Sequence, residues 1–364
     1  MSAYGIPRRF GWTKSSIHAA FLILGLLPWP AFAVTAPVGA TPGSFAVNQN
    51  GGATYTIPIT APPGTAGIVP RLALSYDKQV QNDLLGVGWS VSGLSLIQRC
   101  GGTIALDGVK GGVNYDANDR FCLDGQRLIA INNGVDGANG TEYRTEREGF
   151  SKIVSYRDNT TFTGNGPQFF KVTTKSGTIM EYGVTANARI EAQGKTTVRI
   201  WALNKIQDTK GNYLTIIYDE NNINGEYRPT RIDYTGNAAS PAYNSVRFVY
   251  ATRPDIIPRY EGGSLIKTTQ LLTNVHTCTT TATDTTNVQT CPSTALVRDY
   301  RLAYDNKGAV DSSRLLSVTE CGSDGVCLPG TTLGWQKGGM ARLVHGFEPV
   351  TARISRGSLV PWVT

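Results

Sequence analysis

Two short motifs contain residue types that could support catalysis. Glu146-Arg147-Glu148 has the Glu-x-Glu spacing of an ADP-ribosyltransferase, but no Ser-Thr-Ser element precedes it and its charges alternate, as on a solvated hairpin edge. Gly88-Trp89-Ser90-Val91-Ser92 differs from the serine-hydrolase motif Gly-x-Ser-x-Gly at its last residue, and no helical pattern follows it. Beyond residue 33 the only histidines are His276 and His345, so few bases could activate a serine. Neither motif predicts an active site.

Metal and cofactor motifs are also incomplete. The segment Asn114-Tyr115-Asp116-Ala117-Asn118-Asp119 resembles part of a calcium loop, but it lacks the glycine at the sixth position and the distal glutamate. No Cys-x-x-Cys pair occurs, which argues against zinc, and no phosphate-binding glycine loop is present. Most aspartates adjoin glycine or asparagine, which is typical of turns and not of the paired acids of a glycosidase. We therefore predict no catalytic, cofactor-binding or metal-binding residue, and a protein that is not an enzyme.

The six cysteines are better explained as structural disulfides. Six cysteines allow many pairings, and the sequence cannot fix one of them. Pairing each cysteine with the one nearest to it in sequence nevertheless gives three local loops, each in a glycine-rich or threonine-rich region. A loop of about 15 residues closed in this way contributes about 3 kcal/mol in the chain-entropy description. The favoured pairs are Cys100 with Cys122, Cys278 with Cys291, and Cys321 with Cys327.

Oxidised cysteines agree with an N-terminal segment that is typical of export. Residues 1–33 contain three basic residues, Arg8, Arg9 and Lys14, ahead of the apolar run 17–27, and they end in the small-x-small pattern Ala31-Phe32-Ala33. The run is too short to span a bilayer, which takes about 20 helical residues. We expect a cleaved signal peptide, no stable membrane span, and a secreted, extracellular or periplasmic protein.

Composition and charge exclude several classes of protein. The chain has 34 Lys and Arg against 27 Asp and Glu, a formal charge of +7 over 364 residues. Three of these positive charges lie within residues 1–33, which contain no acid, so the remainder carries only +4. An excess this small does not predict a nucleic-acid partner. The hydrophobic fraction of 40% is sufficient for a sizeable core.

The pattern of apolar residues predicts β-strands almost throughout. Beyond residue 34, apolar and polar residues alternate with a period of two, as at Tyr55, Ile57 and Ile59. Two hairpins stand out: residues 169–175 with 178–182, and residues 198–206 with 213–218. Glycine-containing polar turns separate the strands of each pair. We predict an all-β fold, a multi-stranded meander of hairpins with more than about 15 strands.

A weak repeat places a tyrosine two positions after an aliphatic or aromatic residue. Because side chains two positions apart share one face of a strand, each such tyrosine is expected to face the core. Stacked hairpins would then bury a ladder of tyrosines. The tyrosines of the repeat are Tyr76, Tyr156, Tyr218, Tyr234, Tyr250 and Tyr304.

Changes of composition divide the chain into four parts. Residues 1–33 are the expected signal peptide, and residues 34–43 are a linker rich in proline and glycine. Residues 44–336 form one β-rich region, with a threonine-rich surface loop at 277–294. Residues 337–364 lose the strand pattern and are expected to be an atypical tail.

Glycines surround the first tryptophan of the β-rich region. Gly86, Gly88 and Gly93 allow close backbone approach and unusual backbone angles beside the large ring of Trp89. We expect these four residues to be structural anchors, and Trp89 to lie in the core and not to stack on a ligand.

The same stretch is where the chain resembles a known family. Several segments are similar to the opening of the Salmonella virulence-plasmid B protein (SpvB) family, which also begins the B components of insecticidal toxin complexes and many RHS/YD-repeat proteins. The resemblance covers residues 44–336. The segments that carry it are 43–47, 52–59, 62–65, 70–76, 84–94, 119–128, 203–208, 232–237 and 313–318.

This resemblance implies a function in toxin assembly. In the family this region is a non-catalytic β-rich module of an exported toxin, part of a shell that encloses and delivers a toxic segment. The chain lacks the calcium-type repeats and the long runs of YD repeats expected downstream, so it looks like the N-terminal module alone. The implied partner is another toxin component or the missing C-terminal part of a longer toxin, with the host cell surface as a further contact. The alternative hypothesis is a cell-surface adhesin or glycan-binding β module.

Overall fold

The computed structural model describes residues 39–279, 290–305 and 312–335, together with the backbone of Arg353–Ser355. The predicted signal peptide and His345 lie outside the described residues. The same holds for the first half of the predicted linker and for the predicted tail, apart from that three-residue strand.

The described residues are nearly all strand, which confirms the predicted all-β class. They contain twenty-three strands, a four-residue helix at Ile104–Asp107, and two 3-10 turns at Thr65–Gly67 and Ala186–Ala188. The many hairpin turns leave little chain for helices.

The first four strands form a separate antiparallel sheet. They pair in chain order, and Tyr76 on the third strand lies opposite Trp89 on the fourth. Tyr55, Ile57 and Ile59 face the core, with exposed fractions of 4%, 0% and 6%, which confirms the predicted alternation. The strands are β1 (Ser44–Val47), β2 (Ala53–Ile59), β3 (Leu72–Asp77) and β4 (Trp89–Ser92).

Eight further strands close into a ring, each antiparallel to the next. Four aromatic side chains from this ring, Phe121, Tyr143, Phe170 and Trp201, are buried and pack edge to face with ring centroids 5.1–6.3 Å apart. The ring strands are β5 (Leu96–Cys100), β6 (Arg120–Leu123), β7 (Gln126–Ala130), β8 (Glu142–Thr145), β9 (Lys152–Tyr156), β10 (Phe169–Thr173), β11 (Ile179–Tyr182) and β13 (Val198–Gln207), with the short strand β12 (Arg189–Glu191) beside β13.

Strand β13 joins the ring to a second run of strands. Its first half pairs with β12 and β5, and its second half pairs with β11 and with the next strand, β14. The strands that follow are β14 (Tyr213–Asn221), β15 (Glu226–Gly236), β16 (Asn244–Thr252), β19 (Gln270–Cys278), β20 (Leu296–Asp305), β21 (Arg314–Gly322), β22 (Thr331–Gly334) and β23 (Arg353–Ser355), with a small hairpin of β17 (Arg259–Glu261) and β18 (Ser264–Ile266) between β16 and β19.

Both predicted hairpins are present. Strands β10 and β11 pair around a turn in which Gly177 has a φ of +84°. Strands β13 and β14 pair around the turn 208–212, where the Asp208 carboxylate accepts the backbone N–H groups of Lys210 and Asn212.

Two of the six repeat tyrosines are fully buried and the other four are half-buried, and the buried pair does not form a ladder. Tyr218 and Tyr234 are 5% and 0% exposed, as expected for residues on the buried face. However, Ile216 lies opposite Ile232, so the two tyrosines lie on opposite sides of that pair. Each hydroxyl instead donates to a backbone carbonyl, Tyr218 to Leu203 and Tyr234 to Pro62, both at 2.8 Å. The antiparallel register separates residues that the chain spaces evenly.

Candidate functional site

The Glu-x-Glu motif lies in the exposed turn between β8 and β9. Glu146 and Glu148 are both exposed. The Glu148 carboxylate accepts the backbone N–H of Phe150 at 2.6 Å, so it stabilises the turn itself.

The serines of the second motif, Ser90 and Ser92, both lie on β4. Ser92 on β4 makes a hydroxyl contact of 2.8 Å with Ser75 and donates to the carbonyl of Ala73. His276, the one histidine among the described residues, lies on β19, and its Nε2 is 3.3 Å from Oδ1 of Asp299 on β20. Burial raises the pKa of Asp299, but hydrogen bonds from His276, Arg301 and Asn274 outweigh it and lower that pKa to about 2. The histidine therefore contacts a carboxylate on the neighbouring strand.

In the loop that resembles a calcium site, Asp119 pairs with an arginine of β5. Asp119 is buried and lies 3.0 Å from the guanidinium of Arg99, and it also accepts the backbone N–H groups of Asn114 and Tyr115 at 2.7 Å. The same guanidinium lies 5.7 Å from the centroid of the Trp201 ring. The carboxylate thus balances a buried charge beside the aromatic cluster of the ring.

The cysteines form the three pairs that the sequence favours. Cys100 bonds to Cys122 across β5 and β6, and Cys321 bonds to Cys327 at the end of β21. Cys278 bonds to Cys291, closing the loop between β19 and β20.

The glycine-tryptophan motif lies where the first sheet meets the second run of strands. Trp89 is 1% exposed and packs against Tyr76, with ring centroids 5.6 Å apart. The three anchor glycines have positive φ angles of +81° at Gly86, +78° at Gly88 and +98° at Gly93. A Cβ at Gly88 would lie 2.5 Å from the Tyr76 ring, so only glycine allows the two aromatic rings to pack here.

Gly86 allows the motif to reach a distant part of the chain. The N–H of Val87 donates to the carbonyl of Ser313 at 3.0 Å, and a Cβ at Gly86 would lie only 2.3 Å from that oxygen. A second backbone contact lies nearby, where Leu272 on β19 donates to the carbonyl of Leu84 at 2.8 Å. The motif is therefore a docking point between segments more than 180 residues apart in sequence.

A buried carboxylate completes this docking point. Asp255, 1% exposed, accepts hydrogen bonds from Asn82 at 2.9 Å, from Arg253 at 2.8 Å, and from both the N–H and the hydroxyl of Ser313. Arg253 also donates to the carbonyl of Asp83 at 2.6 Å. We call Asn82, Arg253, Asp255 and Ser313 the Asp255 cluster. It connects the loop after β3, the end of β16 and the start of β21.

The electrostatics of the cluster favour an ionised carboxylate. Burial alone would raise the pKa of Asp255, but the hydrogen bonds from Arg253, Ser313 and Asn82 outweigh it and lower the pKa to about 2. Arg253 and Asp255 each make further hydrogen bonds besides the one between them, and this is the condition under which a buried ion pair is stable.

A cavity of about 280 Å³ lies beside the motif. Its walls come from the motif loop, from β4 and β5, from β13–β15 and from the hairpin β17–β18. Leu84, Leu94 and Leu96 supply apolar surface, and Arg199 and Glu226 supply buried charge. The cavity therefore lies where the first sheet, the ring and the second run of strands meet.

The structure adds two findings on ion and membrane binding. Within residues 39–279, 290–305 and 312–335, no three His, Cys, Asp or Glu side chains are grouped so that they could hold a metal ion. In those same segments, no helix has the length and apolar character needed to cross a bilayer.

Sequence reasoning missed the Asp255 cluster and Arg199. Arg253-Pro254-Asp255 follows a strand and reads as an ordinary polar turn, and Arg199 lies in a strand whose other residues are mostly apolar. The signal that could have found Arg199 is its place inside a run that is buried on both faces, where a charge is rare.

Residues 47–253 match the family described as the Salmonella virulence plasmid 65kDa B protein, SpvB. The chain belongs to the SpvB family. The matched segment contains the glycine-tryptophan motif, the whole closed ring and the run up to β16. No curated protein matches the chain significantly.

Solved structures show the same fold. A chain of the TcdB2-TccC3 crystal structure superposes with a TM-score of 0.65 at 19% identity, over 83% of this chain and 17% of that chain. The Photorhabdus luminescens Tc holotoxin pore gives a TM-score of 0.64 at 20% identity, again over 83% of this chain and 17% of the other. The N-terminal domain of effector protein SpvB from Salmonella typhimurium strain LT2 gives 0.58 at 19% identity, over 73% of this chain and 98% of that domain. The present chain therefore covers about a sixth of the length of the toxin chains that it resembles, and nearly all of the SpvB N-terminal domain.

Proposed function

We propose that this chain is a non-catalytic β-scaffold region of an exported toxin, which assembles with another toxin component or with the remainder of a longer toxin. The observation that carries the proposal is the membership of the SpvB family together with a fold shared with Tc toxin chains. The role in assembly, encapsulation or delivery, and the RHS/YD character of the region, are part of this proposal.

The chemistry of the described residues supports a scaffold. The interior of the ring is filled by packed aromatic rings, and the Arg99 charge beside them is neutralised by Asp119. The glycine-tryptophan motif brings distant segments of the chain together, through Gly86 and the Asp255 cluster. These are the features of a rigid structural unit.

One edge of the first sheet supports association with a partner. Strand β1 pairs with β2 and has no second partner among the described residues. Phe45 and Val47 on this edge are 63% and 62% exposed. Exposed apolar edge strands favour pairing with another chain, as a shell component requires.

Export through the predicted signal peptide, to the extracellular space or the periplasm, belongs to the same proposal. The three disulfides support it, because they persist in oxidising compartments. The adhesin alternative is not favoured by the described residues, since Trp89 and Trp201 are buried and Trp335 is half-buried.

The non-catalytic part of the proposal is tested with actin and labelled NAD, because the Glu-x-Glu motif has the spacing of an ADP-ribosyltransferase. We expect purified residues 34–364 to transfer no ADP-ribose to actin, while the catalytic domain of an actin-modifying toxin does so in the same assay. Transfer by this chain that is abolished in a Glu148→Gln variant would overturn the proposal, because it would identify the exposed Glu-x-Glu motif as an active site.

A further inference from the structure

A second cavity, of about 360 Å³, lies between the first sheet and the second run of strands. Its floor comes from β13, β14 and β15, where Ile206 lies opposite Leu214 and Ile216 lies opposite Ile232. Its rim comes from residues 67–72, which lead into β3, and from the two residues that follow β4. We call it the apolar cavity.

The lining of the apolar cavity is aliphatic. Nine of the fourteen described residues that line it are Ile, Leu or Val, and none of the fourteen is aromatic. On the floor, Leu203, Leu214 and Ile232 are buried. Packed interiors leave few voids larger than a water molecule, and apolar walls offer water no hydrogen bonds but do bind small apolar molecules. The floor therefore favours a hydrocarbon occupant.

The volume and the walls favour an unbranched alkyl chain. At about 30 Å³ for each non-hydrogen atom, the cavity holds roughly twelve such atoms. An aromatic ligand would find no ring against which to pack edge to face, whereas a flexible chain can follow the spaces between Ile and Leu side chains. The paired long chains of a membrane phospholipid exceed this volume. A single chain of medium length fits it.

The rim adds a positive charge. Arg71 is the one charged residue among the described residues that line the apolar cavity, and it is exposed. Its guanidinium forms no ion pair or hydrogen bond with another described residue. A guanidinium in this position is available to an anionic head group, and carboxylates are bound by arginine through charge-assisted hydrogen bonds.

We propose that the apolar cavity binds one medium-chain fatty acid, with the alkyl chain over the floor of β13–β15 and the carboxylate at the rim beside Arg71. The bound chain would contact both the first sheet and the second run of strands. This inference goes beyond the scaffold function and does not depend on it, because binding is measured on the isolated chain and assembly is measured with a partner.

A series of acids of increasing length tests the size of the site. Hexanoate, octanoate, decanoate, dodecanoate and tetradecanoate are titrated into the exported chain by calorimetry, each below its critical micelle concentration. Because every buried methylene adds to the apolar area removed from water, we expect each added pair to tighten binding roughly tenfold until the cavity is full near dodecanoate. Absence of binding by all five acids would overturn the proposal. An affinity that keeps rising through tetradecanoate would also overturn it, because it would indicate adsorption to a surface.

The head group is tested with decanoate, 1-decanol and decylamine. We expect decanoate to bind at least fivefold more tightly than 1-decanol, and decylamine to bind most weakly. Arg71→Gln should remove the advantage of decanoate and leave the binding of 1-decanol unchanged, whereas Lys110→Gln, at an exposed position outside the lining, should alter neither. Equal binding of the acid and the alcohol by the unmodified chain would contradict the carboxylate. Binding to phosphatidylglycerol vesicles without binding of free acids would make the site a membrane contact and would overturn the proposal.

Two further variants locate the alkyl chain. Val69→Phe narrows the cavity and should weaken the binding of decanoate at least tenfold, whereas Val109→Phe, at an exposed position outside the lining, should leave it unchanged. Ile206→Ala enlarges the floor and should move the best-bound acid to a longer chain. Unaltered binding in Val69→Phe would place the fatty acid elsewhere. Should that variant fail to fold, an unchanged length preference in Ile206→Ala would contradict the assignment.

Discussion

Gly86 allows the docking of the glycine-tryptophan motif onto the chain near Ser313. Its φ of +81° and the position of the Ser313 carbonyl, 2.3 Å from where a Cβ would lie, both require glycine. We expect Gly86→Ala to lower the free energy of unfolding by clearly more than the roughly 1 kcal/mol that a positive φ costs an alanine. Urea denaturation followed by tryptophan fluorescence measures the change.

Gly125 provides the matched control for this substitution. It has the same φ of +81°, but no atom lies within 4 Å of its would-be Cβ. Gly125→Ala should therefore lower the free energy of unfolding only by the cost of the positive φ. Equal losses in the two variants would show that the contact with Ser313 does not matter.

Glu220 is the residue that should give the fold its dependence on pH near neutrality. Burial and a hydrogen bond with Glu191 raise its pKa from the ordinary value of 4.5 to about 8. The Glu191 N–H also donates to this carboxyl at 2.9 Å. Between these two values the folded chain holds a proton that the unfolded chain has lost, so stability falls as the pH rises through this window.

The variant Glu220→Gln removes this proton while keeping the shape of the side chain. We expect the melting temperature of the unmodified chain to fall more steeply between pH 5 and pH 8 than that of the variant, as measured by calorimetry. The exposed Glu146 supplies the control, because Glu146→Gln should retain the original pH dependence. If the melting temperatures of all three proteins depended equally on pH, the raised pKa of Glu220 would be contradicted. Asp255 and Asp299 do not interfere, since their pKa values of about 2 lie below the window.

Among the structural elements, the contact between the first sheet and the later strands depends on the Asp255 cluster. Asp255→Asn keeps the size of the side chain but removes the charge that Arg253 faces at 2.8 Å. Breaking a buried ion pair in this way costs roughly 3 kcal/mol. We also expect the loop between β3 and β4 to lose protection in hydrogen exchange, because Asn82 would lose its charged acceptor.

The control for this change is Asp158→Asn, in an exposed turn where the carboxylate bonds only to Thr160 and Thr161. It should leave the exchange of the loop between β3 and β4 unchanged. Loss of protection at that loop in the control, or full protection in Asp255→Asn, would mean that the cluster does not hold the first sheet in place.

The strands and the hairpin turns were predictable because their signals are local. Alternation at Tyr55, Ile57 and Ile59 and the glycine at 177 each depend on a few neighbouring residues. The closure of the ring was not predictable, because Ile200 pairs with Gln98 across about a hundred residues and periodicity carries no information on such pairing. Asp255 was missed for the same reason: in sequence it resembles a turn former, and only the fold brings Ser313 to it.

At the scale of the whole molecule, export should leave a defined N-terminus. The pattern Ala31-Phe32-Ala33 predicts cleavage after Ala33, so protein recovered from the periplasm or the medium should begin at Val34. N-terminal sequencing measures this directly. Ala33→Arg removes the small residue at the cleavage position and should retain the full precursor. An unmodified chain that keeps its first 33 residues would contradict the signal-peptide prediction.

The exposed edge of β1 leads to an expectation for assembly. Phe45 and Val47 lie on an edge that has no outer partner among the described residues, and a shell component would use such an edge to join a larger sheet. Phe45→Lys should weaken assembly, whereas Ile223→Lys, at an 82% exposed position in the turn between β14 and β15, should not. Equal behaviour of the two variants would exclude β1 as the joining edge.

The most direct test of the scaffold function is the mass of the species in which the exported chain exists. Light scattering of the tagged chain, recovered by mild affinity purification from its native host, measures it. We predict a stable complex well above the mass of one chain, which is 39.1 kDa before the signal peptide is removed, and we expect mass spectrometry to identify a second, longer toxin component in it. A sharp monomer at micromolar concentration, with no second polypeptide, would contradict the account.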